Sequence, residues 1–289
     1  MGGPGFVSRG SLFVQDESAG LVVSLLDPQP GDRLLDCCAA PGGKTLFAAA
    51  RMRGVGSITA LDVSSGRLRA LRTAAEVAGV GGMALDLRDW AREVASKQSR
   101  RTGTYGGGGA QAERERERSG AEEEGGARRS LLYDKVLLDA PCTGTGVLAK
   151  RADLRWRRTT EQLWTLVALQ DGLLEAAAGL VAPGGVLVYS TYGILTIEVE
   201  EDQWRVLAFL DRHPEFNVEA ATGASAAVLV PGGPEAGGAR GGGQEAGPGG
   251  RSPGPMVPAS VVTAEGFMAT LPHVNGTDGA FAARMRRRR

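Results

Sequence analysis

Two loops carry residue types that could bind a ligand and do chemistry on it. Val136 to Gly146 reads VLLDAPCTGTG and places a thiol, Cys142, three residues after an acid, Asp139. A thiolate is a nucleophile, and a nearby carboxyl group can hold a polar edge or a proton. Leu34 to Thr45 reads LLDCCAAPGGKT. Each loop follows an apolar run that ends in Asp. A parallel strand presents a loop at its carboxyl end in this way, and open α/β sheets bind ligands there. A third run, Val186 to Ser190, passes into Thr191, Tyr192 and Gly193.

The first loop suits a cofactor. Ala39, Ala40, Pro41, Gly42 and Gly43 are small, so the backbone can approach a ligand closely. Asp62 ends the next apolar run, 19 residues past Gly43. An acid about 20 residues after a Gly-rich turn suits a ribose diol. Asp86 ends a third run and suits an adenine amino group. GxGxxG is absent, which argues against a dinucleotide. The first Gly of a GxxxxGK[ST] phosphate loop would fall at Cys38, which argues against ATP. An adenosyl cofactor without a long phosphate tail remains, and S-adenosylmethionine fits best.

The elements that must position these residues alternate along the chain. Strands are expected over 33–37, 57–62, 83–86, 135–139 and 186–190. Helices are expected over 44–52, 64–78 (with Ser64 or Ser65 as N-cap), 159–181 and 198–212, the third stopped by Pro183-Gly184-Gly185. Such alternation predicts an α/β fold: a doubly wound, mostly parallel, Rossmann-like sheet with helices on both faces. Runs over 267–271 and 280–285 flank HVNGTDG and complete seven strands. They are expected to pair as antiparallel strands at one edge. The whole of 1–289 reads as one domain with low-complexity insertions at about 96–129 and 231–255. The first insertion carries charge without an apolar face and should be solvated or a loose helix. The second is too rich in Gly and Pro for a packed core.

Composition removes several function classes. Lys plus Arg and Asp plus Glu number 33 each, so no global basic charge advertises nucleic acid. Locally, Lys150, Arg151, Arg155, Arg157 and Arg158 form a basic segment after the Cys142 loop. Arg284 and Arg286 to Arg289 form a basic tail, expected to be a solvated end, with a nucleic-acid contact as the alternative. Three cysteines, two of them adjacent, do not make a disulfide framework. Cys37 and Cys38 end a buried strand, where a thiol is usually inert. No CxxC or His cluster suggests a metal, and His213 and His273 read as structural. No run reaches the ~18 apolar residues of a membrane span, and no signal-peptide core follows Met1.

The chain resembles the catalytic domain of the RsmB/Sun family of RNA cytosine-5 methyltransferases. The resemblance rests on Val14 to Ser18, the CAAPGGKT loop, Asp62, Asp86, the DAPCTGTG loop, PGGVLVYST and GTDGAFAAR. KRADLRW and QDESAGLVVS look most like the plant plastid branch. The resemblance implies a class I methyltransferase fold and S-adenosyl-L-methionine, held by Ala39 to Lys44, Asp62, Arg67, Asp86 and Asp139. It implies an RNA partner, ribosomal RNA before transfer RNA, for a protein that is a monomer in the plastid or else the cytoplasm. In this family a thiolate adds to cytosine carbon 6, and carbon 5 then attacks the methyl sulfonium. Loss of the carbon-5 proton expels the sulfur. The attacking thiol follows Ser-Thr, while the Pro-Cys thiol releases product. Cys142 is then the release cysteine, Asp139 holds the cytosine edge, and Lys44 lies at the same site.

The departure from the family is at Tyr192, where STC has become Ser190-Thr191-Tyr192. A phenol with a reference pKa of ~10 is a poor ring nucleophile beside a thiol at ~8.5, and it would crowd the base. The family's ENE also reads Glu198-Val199-Glu200. Upstream of QDES, where the family carries RNA-binding elements, this chain has 14 residues before Gln15. Three readings stay open. The protein binds cofactor and RNA without methyl transfer, or uses Cys142 as nucleophile, or is a fragment or altered stretch of an ordinary enzyme. Exocyclic-amine methylation would want [DN]PP[YFW], and the Asp139 to Cys142 loop lacks that aromatic.

Overall fold

A computed structural model describes residues 14–69, 71, 81–84, 87–102, 131–194, 197–222 and 256–289. Asp86 and the segments 103–130 and 223–255 lie outside them, so the adenine contact and most of both expected insertions do too. The helices are α1 (Glu17–Leu26), α2 (Gly43–Met52), α3 (Leu87–Thr102), α4 (Leu154–Arg157), α5 (Thr160–Ala178), α6 (Gln203–Arg212) and α7 (Pro272–Asn275). The strands are β1 (Arg33–Asp36), β2 (Ser57–Asp62), β3 (Gly81–Ala84), β4 (Tyr133–Asp139), β5 (Val181–Thr191), β6 (Phe216–Glu219), β7 (Met268–Thr270) and β8 (Ala280–Arg287). Residues 65–69 are also helical, and the Ser64 hydroxyl accepts the Arg67 N–H as the expected N-cap.

One sheet runs β3-β2-β1-β4-β5-β8-β6, with β7 joined to β8. The strands from β3 to β5 pair in parallel, whereas β8 is antiparallel to β5, β6 and β7. Alternate side chains of each strand feed opposite faces. Leu35, Val136, Leu138, Leu187 and Tyr189 pack with Leu173, Leu174, Val206 and Phe209 of α5 and α6. Leu34, Leu137, Val186 and Val188 pack with Val22, Val23, Leu25 and Leu26 of α1 and Ala48 of α2. Strand order reverses at β1 and β4, so the loops after these two strands diverge and open a crevice between them.

Several boundaries differ from expectation for physical reasons. β1 ends at Asp36, and Cys37 and Cys38 turn away into the loop. β3 begins two residues earlier than expected. α5 stops at Ala178, and the chain re-enters the sheet at Val181. Pro183-Gly184-Gly185 therefore lies inside β5, taken up by an irregularity where Tyr133 opposes Val181 and Lys135 opposes Val186. A bulge is where a sheet tolerates Pro. α6 starts at Gln203, because residues 198–202 bend inward toward the site. β6 was not foreseen. β7 and β8 do pair antiparallel, but β8 is not at the edge. It lies between β5 and β6, and HVNGTDG is partly the helical turn α7.

The basic tail is solvated only at its end: Arg288 and Arg289 are exposed, whereas the arginines before them are engaged. Arg284 is buried, donates to Glu219 and to the carbonyls of Leu25 and Leu26, and so ties β8 to α1 and β6. Arg286 pairs with Glu219 and donates to Gly184 O, while Arg287 donates to Val181 O. These guanidiniums satisfy carbonyls at the irregular start of β5. His213 is likewise structural, bracketed by Glu175 and Glu215.

Candidate functional site

A cleft of about 390 Å³ opens at the carboxyl ends of β1 and β4. Its wall brings Ala39, Ala40, Pro41, Gly42, Gly43 and Lys44 together with Asp139 and Tyr192. Gly42 has φ 115°, and a Cβ there would lie 2.3 Å from Leu71, so only glycine makes this turn into α2. Lys44, on the first turn of α2, is carried across the crevice. Its ammonium donates to Asp139 Oδ2 at 2.7 Å and to the Tyr192 hydroxyl at 2.9 Å. Ser190 donates to the other Asp139 oxygen at 2.8 Å. Burial works against the Lys44 charge, but Asp139 and Tyr192 outweigh it and hold the ammonium's pKa above the ordinary value.

Neither candidate nucleophile is ionised at neutral pH. Burial raises the Tyr192 phenol above its usual range, more than Lys44 lowers it. Cys142 is half-buried, and the Tyr192 N–H donates to its Sγ at 3.3 Å. Burial pushes this thiol up, and the Glu201 carboxylate adds to the effect. Cys37 and Cys38 are raised by burial too, consistent with inert thiols.

Asp62 does not line the cleft. Its carboxylate is buried and accepts from the Ala40 and Ser64 N–H groups and from Arg67 at 2.9 Å. Asp62 thus tethers the Gly-rich loop, with Arg67 beside it. Sequence reasoning missed Asp36 as a cleft residue. It accepts from Thr45 at 2.6 Å through one oxygen, while the other is buried with no partner among the described residues. Burial pushes its pKa up to about 6. The visible signal was the Asp that ends β1, three residues before the small-residue loop. An unpartnered carboxylate oxygen and a loop without side-chain bulk fit a ligand carrying cationic groups.

A second missed cluster braces the Cys142 loop from below. Glu201 accepts the Thr143 N–H at 3.0 and 3.1 Å and the Gln170 amide at 2.9 Å. Glu198 accepts from the hydroxyls of Thr143 and Thr145. Gly146 joins three loops: its N–H donates to Tyr192 O at 2.8 Å, and its carbonyl accepts from Gly279 at 2.9 Å. At the rim, Lys150 bridges Asp16 and Asp278, each at 2.7 Å.

A family description, 16S rRNA methyltransferase RsmB/F, matches residues 23–101 and 114–286. The chain belongs to the RsmB/F family. Probable ribosomal RNA small subunit methyltransferase B of Bacillus subtilis is 28% identical over 99% of this chain and 50% of its own length. Ribosomal RNA small subunit methyltransferase B of Yersinia pseudotuberculosis is 35% identical over 78% of this chain and 43% of its own. The chain therefore spans about half the length of the curated relatives it matches. A methyltransferase homolog protein from Pyrococcus horikoshii shares the fold at TM-score 0.62, with 25% identity over 99% of this chain and 70% of that one. NSun6 from the same organism, solved with the S-adenosylmethionine analogue SFG, shares it at TM-score 0.64 and 23% identity. That match covers 98% of this chain and 55% of that one.

The RsmB/F family depends on S-adenosyl-L-methionine, whose sulfonium and ammonium are the cationic groups that the Asp36 wall fits. Among the described residues no group of side chains could hold a metal, and no helix is long and apolar enough to cross a membrane.

The brace under the loop has a pH signature. Asp202 is fully buried, and burial pushes its pKa up to about 8, with Glu198 and Glu201 adding repulsion and Thr191 opposing through a hydrogen bond. Between the ordinary carboxyl pKa of 3.8 and about 8, the folded state keeps a proton that the unfolded chain has lost. Stability therefore falls as pH rises through that window, by up to about 1.4 kcal/mol per pH unit from this group. Asp202→Asn, uncharged and of equal size, should flatten the decline. Thermal melts of both proteins from pH 6 to 8.5 read the difference, and parallel curves would rule Asp202 out as a neutral acid.

Proposed function

We propose that the chain is an S-adenosylmethionine-dependent cytosine-5 module for small-subunit ribosomal RNA. In it Tyr192 has replaced the attacking thiol, leaving cofactor and RNA binding with carbon-5 transfer silent or very slow. The observation that carries this reading is the Lys44–Asp139–Tyr192 contact. A phenol whose pKa is raised sits hydrogen-bonded to the ammonium, in the place where the resemblance puts the thiol. The residues have separable tasks. The Ala39 to Gly43 backbone and Asp36 bind the cofactor, which supplies an electrophilic methyl when present. Asp62, through the Ala40 N–H, holds the loop against the cofactor. Asp139, fixed by Lys44 and Ser190, accepts from the exocyclic amine of cytosine.

A second reading, Cys142 as nucleophile, is favoured by one observation. The Tyr192 N–H aimed at its sulfur would stabilise a thiolate. Whatever the nucleophile, the reaction asks it to add to carbon 6, and asks a base to take the carbon-5 proton as the sulfur leaves. The likeness of the KRADLRW segment and the QDESAGLVVS opening to the plant plastid branch supports placing the protein in a plastid.

The deciding test is methyl transfer from labelled S-adenosylmethionine to 16S rRNA, with 5-methylcytosine read by mass spectrometry. Wild-type product at rates ordinary for a methyltransferase would overturn the silent-site reading. Cofactor binding is tested separately. Asp62→Ala should weaken S-adenosylmethionine by about 1.5–3 kcal/mol, since a charge-assisted contact and the Ala40 tether go together. Calorimetry showing undiminished affinity would remove Asp62 from the cofactor site.

A further inference from the structure

Residues 150–158 hold five cations and one acid, next to the loop that carries Cys142. The short helix α4 is fastened to that loop at both ends. Leu154 is buried and would lie 3.5 Å from a Cβ on Gly144, and Arg158 donates to the Thr143 carbonyl. Between these anchors the chain presents three residues to solvent. Trp156 is 89% exposed, the most exposed of the described tryptophans. Arg155 pairs with no acid among the described residues, and Arg157 reaches Asp153 only at 3.8 Å with a side chain 72% exposed. The other exposed cations nearby are engaged: Arg151 by Asp153, Lys150 by Asp16 and Asp278.

Burying an indole is a large apolar gain, and here it is forgone on a rigidly anchored turn. An indole face suits a nucleobase, and the exposed guanidiniums of Arg155 and Arg157 beside it suit the phosphates on either side. We propose that Trp156, flanked by Arg155 and Arg157, is a stacking platform for an unpaired nucleotide neighbouring the target base in the RNA. This rests on the RNA reading above and adds where the strand is held. Because Arg158 and Leu154 fix α4 to the Cys142 loop, the platform and the base pocket keep one spacing, so the contact falls at one position along the strand.

The test is fluorescence anisotropy of fluorescein-labelled single-stranded RNAs, each with one abasic residue at a successive position. Binding is measured on the full chain, with Trp156→Ala, Trp156→Phe and the Arg155→Ala/Arg157→Ala pair. Trp156→Ala should weaken binding about 5- to 100-fold with the salt dependence unchanged, since stacking releases no counterions. Trp156→Phe should keep most of the affinity. The double arginine change should instead lower the salt slope by about 1.4. One abasic position should weaken the wild type and leave Trp156→Ala indifferent. RNA binding by Trp156→Ala equal to wild type would overturn the platform alone. A wild type that binds S-adenosylmethionine in calorimetry but no RNA would overturn the RNA reading and the platform with it. Strong retention of an unrelated protein by Trp156, with no abasic-sensitive position, would make the surface a protein contact and overturn the proposal.

Discussion

Tyr192→Cys should raise carbon-5 methyl transfer by at least about 100-fold, given that a covalent mechanism loses roughly 10⁶ without its nucleophile. The change places a thiol at the end of β5, removes the phenol from the base pocket, and leaves Lys44 bonded to Asp139 alone. The comparison needs four proteins: wild type, Tyr192→Cys, Cys142→Ala and the double change. They are assayed on 16S rRNA and for trapping on 5-fluorocytosine RNA. A wild-type adduct that disappears in Cys142→Ala would make Cys142 the nucleophile. Robust wild-type turnover that survives Cys142→Ala would defeat both readings of the site. No gain in Tyr192→Cys would move the defect to Val199.

The second large effect is on stability. Glu201→Ala should destabilise the protein by about 3 kcal/mol. The Thr143 N–H and a Gln170 N–H are both buried, and each loses its acceptor, at about 1–3 kcal/mol per unsatisfied group. The Cys142 loop hangs on that carboxylate, so its thiol should react faster with a disulfide reagent, as read by peptide mass spectrometry. Denaturant midpoints that match wild type, with unchanged labelling of Cys142, would show that the loop does not depend on Glu201.

The sequence made some of this plain and hid the rest, for different physical reasons. β2 is legible residue for residue, because Gly56 and Asp62 bracket a buried apolar run. The cleft loops are legible because small residues after a strand have few other uses. β6 is four residues long with only Phe216 and Val218 turned inward, too short a pattern to register. The sequence marks Glu198 only as part of the ENE-like motif and places Glu201 and Asp202 in a helix. Their burial follows from donors on distant loops, Thr143, Thr145, Gln170 and Thr191, which no local pattern reports. The same holds for Asp62, which spacing assigned to a ligand. The structure also gives it the Ala40 N–H and Arg67, so its acceptor capacity is largely spent on the protein itself.

The placement of β8 sets the order in which this molecule can be finished. It is the last of the described strands in sequence, yet it lies between β5 and β6 and also carries β7. While a ribosome is still making residues 280–287, the apolar edge of β5 has no neighbour on that side, and β6 has no sheet to join. Exposed strand edges of this kind invite pairing with other chains. The loop ahead of β8 also brings Asp278 to Lys150 and Gly279 to Gly146, so the cleft's rim closes in the same event. A nascent chain stopped short of β8 would hold most of the sheet and no complete cleft. Synthesis therefore gates the cleft, and a chaperone that shields β5 until release would matter more here than for a sheet whose last strand sits at the rim.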